Sequence, residues 1–261
     1  MAIPAYDGYI FDLDGTIYLG DAALPGAVET LATLRAAGRK IAFLSNNPTH
    51  TREAYVQRLR RLGVDASIDQ IINSSLVMTR WLLREAPGAR LFVIGEQPLI
   101  DELVAAGFAL SERAGEIDVV VASFDRTFTY HKLQVAFDAI RAGARLVATN
   151  ADRYCPVPGG GQPDAAAIIA AIEACTSTRI EQVVGKPSPI TVAEVAALLQ
   201  LPLERCIMVG DRLETDVAMG VRAGMASALV LTGATPRAAL DGSDIRPDYV
   251  LDTIAPLAEA L

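Results

Sequence analysis

Short apolar runs alternate with stretches of helical periodicity along nearly the whole chain. Runs at 9–11, 41–44, 91–94, 119–121, 145–148, 182–184, 207–209 and 228–231 are continuous and apolar. That is the pattern of parallel strands covered on both faces rather than of half-exposed antiparallel ones. The stretches between them predict helices over 26–37, 51–62, 75–85, 99–106, 132–142, 164–174, 190–199 and 215–223. Pro25 opens the first of these and Gly38 follows it, and Gly63, Gly107 and Gly143 follow three others. Strand and helix in strict alternation predict an α/β fold with a doubly wound parallel sheet. The segment 156–163, rich in glycine and proline, is expected to be the longest irregular loop.

Size and composition narrow the class. At 261 residues the chain holds one large domain or two modest ones. A hydrophobic share of 51% against 21% charged supplies ample core and excludes a largely disordered chain. No apolar run approaches the roughly 18 residues of a membrane helix, and the first eight residues lack the basic start of a leader peptide. Cys155, Cys175 and Cys206 are odd in number and without metal spacing, so they read as cytoplasmic thiols. A net charge of −8 argues against nucleic acid as a partner. An acidic protein that handles an anion must supply positive charge locally. Lys40, Lys132 and Lys186 are the lysines, so their positions carry information.

Four strings carry candidate chemistry. Tyr9-Ile10-Phe11-Asp12-Leu13-Asp14-Gly15-Thr16 runs an apolar strand into two carboxylates, with Gly15 permitting the turn. Phe43-Leu44-Ser45-Asn46-Asn47-Pro48 offers a hydroxyl and two carboxamides after the second strand; alone it is also an ordinary turn. Val184-Gly185-Lys186-Pro187 holds a lysine just beyond a strand. Val209-Gly210-Asp211-Arg212-Leu213-Glu214-Thr215-Asp216 ends a strand in an acid and begins a helix with another, where an acid also suits the helix dipole. Asp12, Asp14, Ser45, Lys186 and Asp211 are therefore expected at C-terminal strand ends along one edge of one sheet, where open α/β sheets bind ligands. Carboxylates about 4 Å apart repel by on the order of 4 kcal/mol at an effective dielectric of 20, so such a cluster calls for a cation. Hard oxygen ligands favour Mg²⁺. His50 and His131 lack ligand-like neighbours and read as surface residues, and Trp81 reads as core.

In this order the four strings resemble the motifs of the haloacid dehalogenase (HAD) phosphohydrolase superfamily, and the likeness runs through nearly the whole chain. The long segment between Ser45 and Lys186 resembles the inserted α/β cap of the NagD-like subfamily IIA. Gly95-Glu96-Gln97, the 150–156 string and the 247–252 string are similar to those of bacterial sugar phosphatases of the arabinose-operon type. The resemblance implies a catalytic core over 1–84 and 180–261, with a cap over 85–179 that governs specificity and closes over the sheet edge. It implies a cytoplasmic Mg²⁺-dependent phosphatase of small phosphorylated metabolites. Asp12 would be the nucleophile, Asp14 the acid and then the base. Asp12, the Asp14 carbonyl and Asp211 would hold Mg²⁺, with Asp216 supporting that site from behind. Ser45, Asn46 and Asn47 would hold phosphate oxygens, and Lys186 would balance charge. Cys155 stands where some relatives place a substrate-contacting histidine; it either contacts substrate or packs. The chain also departs from the family in reading Gly161-Gln162-Pro163-Asp164 where a Pro-Gly-x-Gly string is common. Two alternatives stay open: a phosphotransferase or mutase using the same aspartyl phosphate, and a non-enzymatic phospho-acceptor regulator. The oligomeric state is open too, a homo-oligomer through the cap included.

Overall fold

The computed structural model describes residues 3–157 and 160–259. In chain order its strands are β1 (Gly8–Asp12), β2 (Tyr18–Leu19), β3 (Ala22–Ala23), β4 (Lys40–Ser45), β5 (Ile71–Asn73), β6 (Arg90–Ile94), β7 (Ala109–Leu110), β8 (Val119–Ala122), β9 (Arg145–Ala148), β10 (Tyr154–Val157), β11 (Gly160–Pro163), β12 (Gln182–Val183), β13 (Cys206–Gly210), β14 (Ala226–Val230) and β15 (Tyr249–Leu251). The helices are α1 (Ala27–Ala36), α2 (Arg52–Arg61), α3 (Ser74–Glu85), α4 (Gln97–Ala105), α5 (Tyr130–Arg141), α6 (Ala165–Thr176), α7 (Pro189–Leu199) and α8 (Ala218–Ala223). Side-chain caps start several of them. The side chains of Asn73, Thr129 and Ser188 accept backbone N–H groups in the first turns of α3, α5 and α7, and Pro189 occupies the first position of α7.

The chain forms two compact units. The first comprises the residues up to Ser45, Arg52–Ile72 and those from Lys186 on. Its sheet has the order β15-β14-β13-β1-β4-β5, and every register given for β1, β4, β13, β14 and β15 is parallel. Tyr9, Phe11, Phe43 and Val209 pack from this sheet against Leu31 and Leu34 of α1. The Phe11 ring lies 6.2 Å from Tyr9 and 6.5 Å from Phe43, an aromatic row inside the core.

The second unit comprises Asn46–Thr51 and Asn73–Gly185. Its parallel sheet has the order β12-β9-β8-β6-β7. Val135, Ala136 and Ala139 of α5 and Ile168, Ile169 and Ile172 of α6 cover one face of it. Helix α3 belongs to this unit, whose longer segment opens at Asn73. Trp81 is buried on α3, with the Arg145 guanidinium 5.5 Å from its ring centroid, whereas His50 and His131 are exposed.

Three local expectations need correction. The strand near 182–184 belongs to the second sheet, because β12 pairs with β9 through Gln182↔Val147 and Val183↔Ala148. A parallel strand's partner is non-local, so its run of apolar residues does not say which sheet it joins. Of the segment 156–163, residues 156–157 and 160–163 are strand rather than irregular chain, in the antiparallel ribbon β10–β11; Pro158 and Gly159 lie outside the described residues. A two-stranded ribbon has an unpaired outer edge, where Pro156 and Pro163 cost no ladder bond. The helix expected over 215–223 starts as one wide turn at Leu213–Val217, in which Val217 N–H donates to the Arg212 carbonyl, and only then becomes α8.

Candidate active site

Register brings the acids to one rim. Asp12 is level with Leu44 across β1 and β4, and Phe11 with Val209 across β1 and β13. Ser45 and Asp211 therefore leave the sheet one step beyond Asp12 on its two neighbours. Lys186 arrives differently from the expectation. It follows a strand of the other sheet and enters the first unit in the segment that leads into α7.

The side chains converge tightly. Lys186 Nζ lies 2.5 Å from Asp12 Oδ1 and 2.7 Å from Asp216 Oδ1, with the lysine side chain 3% exposed. It also donates to the Leu44 carbonyl at 3.4 Å. Asp216 Oδ2 accepts the Arg212 N–H at 3.1 Å. Asp211 Oδ2 accepts the Ala234 N–H at 2.6 Å. One oxygen from each of Asp12, Asp211 and Asp216 lies within 4.8 Å of the others, and all three residues are buried. Thr16 Oγ1 donates to Asp12 Oδ2 at 3.5 Å.

Three glycines make room for these carboxylates. Gly15 sits at φ +82°, and a Cβ there would come within 2.6 Å of Asp211 Oδ2. Cβ atoms on Gly233 and Gly210 would overlap the carboxylates of Asp211 and Asp216. The loop carrying Gly15 is tied to the one carrying Gly233 by the Thr232 hydroxyl, which donates to the Gly15 carbonyl at 2.5 Å.

Electrostatics show a cluster short of positive charge. Burial raises the Asp12 carboxyl well above the usual range; Lys186 opposes that shift, while Asp216 and Asp211 add to it. Burial, with Asp216 beside it, pushes Asp211 up to about 6. Burial alone would lower the Lys186 ammonium, but Asp12 and Asp216 outweigh it, so its proton is held above the ordinary lysine range. One lysine thus faces three acids. Oxygen donors only, mutual proximity and raised carboxyl pKa values are the features of a site suited to a hard divalent cation.

The other expected residues divide into three groups. Asp14 is half-buried and accepts the Tyr18 hydroxyl at 3.3 Å on Oδ2. Ser45 Oγ shares a hydrogen bond of 3.1 Å with the Tyr55 hydroxyl. Asn46, Asn47 and Cys155 group within the second unit. There Asn46 Nδ2 donates to Asp152 Oδ2 at 2.8 Å, and Asn47 Nδ2 points at Cys155 Sγ across 3.8 Å. Cys155 is partly exposed, and among the described residues all the cysteines are free thiols. Sequence reasoning missed Tyr18 and Tyr55. A tyrosine four residues after Asp14 was the available signal for the first; the second becomes visible only once the chain has folded.

Comparison with known proteins places these features. A family model described as haloacid dehalogenase-like hydrolase matches residues 9–109, and one described as HAD-hydrolase-like matches 183–257. Over 247 residues the chain is 39% identical to the sugar-phosphatase AraL of Bacillus subtilis, covering 95% of this chain and 90% of that one. Its fold matches the crystal structure of a 4-nitrophenylphosphatase from Thermotoga maritima with a TM-score of 0.93 and 38% identity, over 98% of this chain and 97% of that one. It matches NagD from Escherichia coli K-12 with a TM-score of 0.87 and 30% identity, over 96% and 98%.

Proposed function

The chain belongs to the haloacid dehalogenase-like hydrolases, in their NagD-like branch, and acts on phosphomonoesters; from that premise we propose that it is a Mg²⁺-dependent phosphatase of small sugar phosphates or similar metabolites, working through an aspartyl phosphate. The observation that carries this reading is Lys186 bonded to Asp12 inside a buried group of three acids.

In the proposed reaction Asp12 attacks phosphorus and forms the new P–O bond. The ester P–O bond breaks, its electron pair goes to the leaving oxygen, and the Asp14 carboxyl gives that oxygen a proton. Asp14, now a carboxylate, takes a proton from water as the water attacks the phosphoryl group and frees Asp12. Ser45 and the backbone of Asn46 and Asn47 hold phosphoryl oxygens. Lys186 opposes the pull of burial on Asp12, favouring its carboxylate form, and offsets charge on the phosphoryl group. Asp12, the Asp14 carbonyl and Asp211 would hold Mg²⁺, which when bound adds the positive charge the cluster lacks. Asp216 orients Lys186 and does not itself reach the substrate. Cys155 is proposed as a substrate contact. The free thiols and the small substrate class suit a cytoplasmic enzyme.

The test is phosphate release from p-nitrophenyl phosphate and a panel of sugar phosphates, with Mg²⁺ or with EDTA and no alcohol acceptor. Metal-dependent release that Asp12→Asn abolishes is expected. Release that needs an added acceptor would assign a phosphotransferase instead. Turnover retained by Asp12→Asn would remove the nucleophile assignment.

A further inference from the structure

Asp14 is the least buried of the acids in the first unit's cluster, yet an acid that donates a proton to one particular oxygen has to be aimed. Its main chain is already fixed. The Leu13 carbonyl accepts N–H groups from Thr16, Ile17 and Tyr18, and Gly15 N–H donates to the Tyr18 carbonyl at 2.8 Å. What remains is to aim the side chain. Tyr18 restrains it: its hydroxyl donates to Asp14 Oδ2 at 3.3 Å. That bond is longer than the optimum for O–H···O, and contacts of this type tighten when substrate binds.

Tyr18 is built to hold its own position. The residue has no exposed surface. The Arg58 guanidinium lies 4.1 Å from its ring centroid, and Arg58 Nη2 donates to the Gly20 carbonyl at 2.6 Å, closing over the turn that carries β2. A third group that orients the acid–base residue is a recurrent requirement of proton-transfer sites.

Resting on the reading of Asp14 as acid and base, we infer that Tyr18 is a positioning residue that aims the Asp14 carboxyl at the leaving oxygen of the substrate. Because Tyr18 occupies Oδ2 as a donor, the carboxylic proton resides on Oδ1. That oxygen passes it to the leaving group as the ester P–O bond breaks, and Asp14 is left as the carboxylate. The contribution of Tyr18 is therefore largest for a poor leaving group such as a sugar alkoxide. It is smallest for p-nitrophenolate, which departs without a proton.

The test is kcat/KM, which reports only the steps through departure of the leaving group, measured with Mg²⁺ on p-nitrophenyl phosphate and on the best sugar phosphate. Tyr18→Phe is expected to lower the sugar phosphate value about tenfold or more, a share of the 10²–10⁴ typical of acid catalysis, and the nitrophenyl value less than about threefold. Replacing Tyr18 by 4-aminophenylalanine keeps the shape and a donor, and is expected to restore the ratio of the two substrates. It also stands in should Tyr18→Phe fail to fold; a ratio lowered by the amino variant as well then overturns the inference. Asp14→Asn, run alongside, separates the two ideas. If Asp14→Asn falls selectively on the sugar phosphate while Tyr18→Phe lowers both substrates alike or neither, the role of Tyr18 is overturned and the acid assignment stands. If Asp14→Asn lowers both alike, the acid assignment fails and the role of Tyr18 with it.

Discussion

Replacing Lys186 by methionine tests the electrostatic logic of the site without invoking turnover. The thioether fills most of the volume of the lysine stem but carries no charge. Two contacts disappear, at 2.5 Å to Asp12 and 2.7 Å to Asp216, in a place where the lysine side chain is only 3% exposed. At an effective dielectric of 20 each contact corresponds to about 6 kcal/mol of attraction. No longer burying an ammonium returns several kcal/mol, and the net cost of breaking a buried pair from one side is about 3–5 kcal/mol. For a unit of this size that lowers the melting temperature by about 6–20 °C. The assay is calorimetry or far-ultraviolet dichroism in EDTA at pH 7.5. Trp81 lies in the other unit, so its fluorescence would report the wrong transition. The loss should also depend on pH. Without Lys186 the folded state holds the Asp12 proton more tightly than the unfolded chain does, since burial already raises that carboxyl. The penalty is then full at neutral pH and fades as pH falls toward about 4, near the ordinary carboxylate value. A loss below about 1 kcal/mol at pH 7.5, or one that stays constant down to pH 4.5, would refute the picture of a buried charge cluster.

Three further outcomes follow from the same geometry. Asp211→Asn should raise two quantities: the stability of the metal-free protein, because a like charge is removed, and the Mg²⁺ needed for half-maximal activity, by more than the 10–100-fold typical of losing an outer partner. A fall in both would contradict the assignment. Gly233→Ala puts a Cβ into the Asp211 carboxylate, so it should cost about 1–3 kcal/mol and weaken Mg²⁺ binding in a metal titration, though alanine carries no chemistry of its own. Because Asp211 is pushed up to about 6 from an ordinary value of 3.8, the metal-free protein should lose stability as pH rises between those values, and saturating Mg²⁺ should flatten that dependence in melting curves.

The parts of the site carried by local pattern were legible before folding. The runs at 9–11, 41–44 and 207–209 became β1, β4 and β13, and their adjacency set Asp12, Ser45 and Asp211 on one rim. Lys186 was read as a partner of the acids for the right chemical reason but by the wrong route, since pairing between β12 and β9 is a long-range event that no local run encodes. The ribbon formed by Tyr154–Val157 and Gly160–Pro163 was hidden because its glycines and prolines are strand-breaking by composition and tolerated only in an isolated pair of strands. Tyr18 and Tyr55 were hidden for another reason: a tyrosine in an apolar stretch reads as core, and only the position of its hydroxyl distinguishes a core ring from an orienting one.

The first unit is assembled from segments separated by more than a hundred residues of intervening chain, and this has a consequence for its birth on the ribosome. The second unit's sheet is complete once Gln182–Val183 has emerged, whereas β1 still waits for its partner Cys206–Gly210. Throughout that interval one side of β1 lacks its native neighbour, the arrangement that invites wrong pairing. Translation arrested between these two points should yield nascent chains with a protease-resistant middle and a chaperone-dependent beginning.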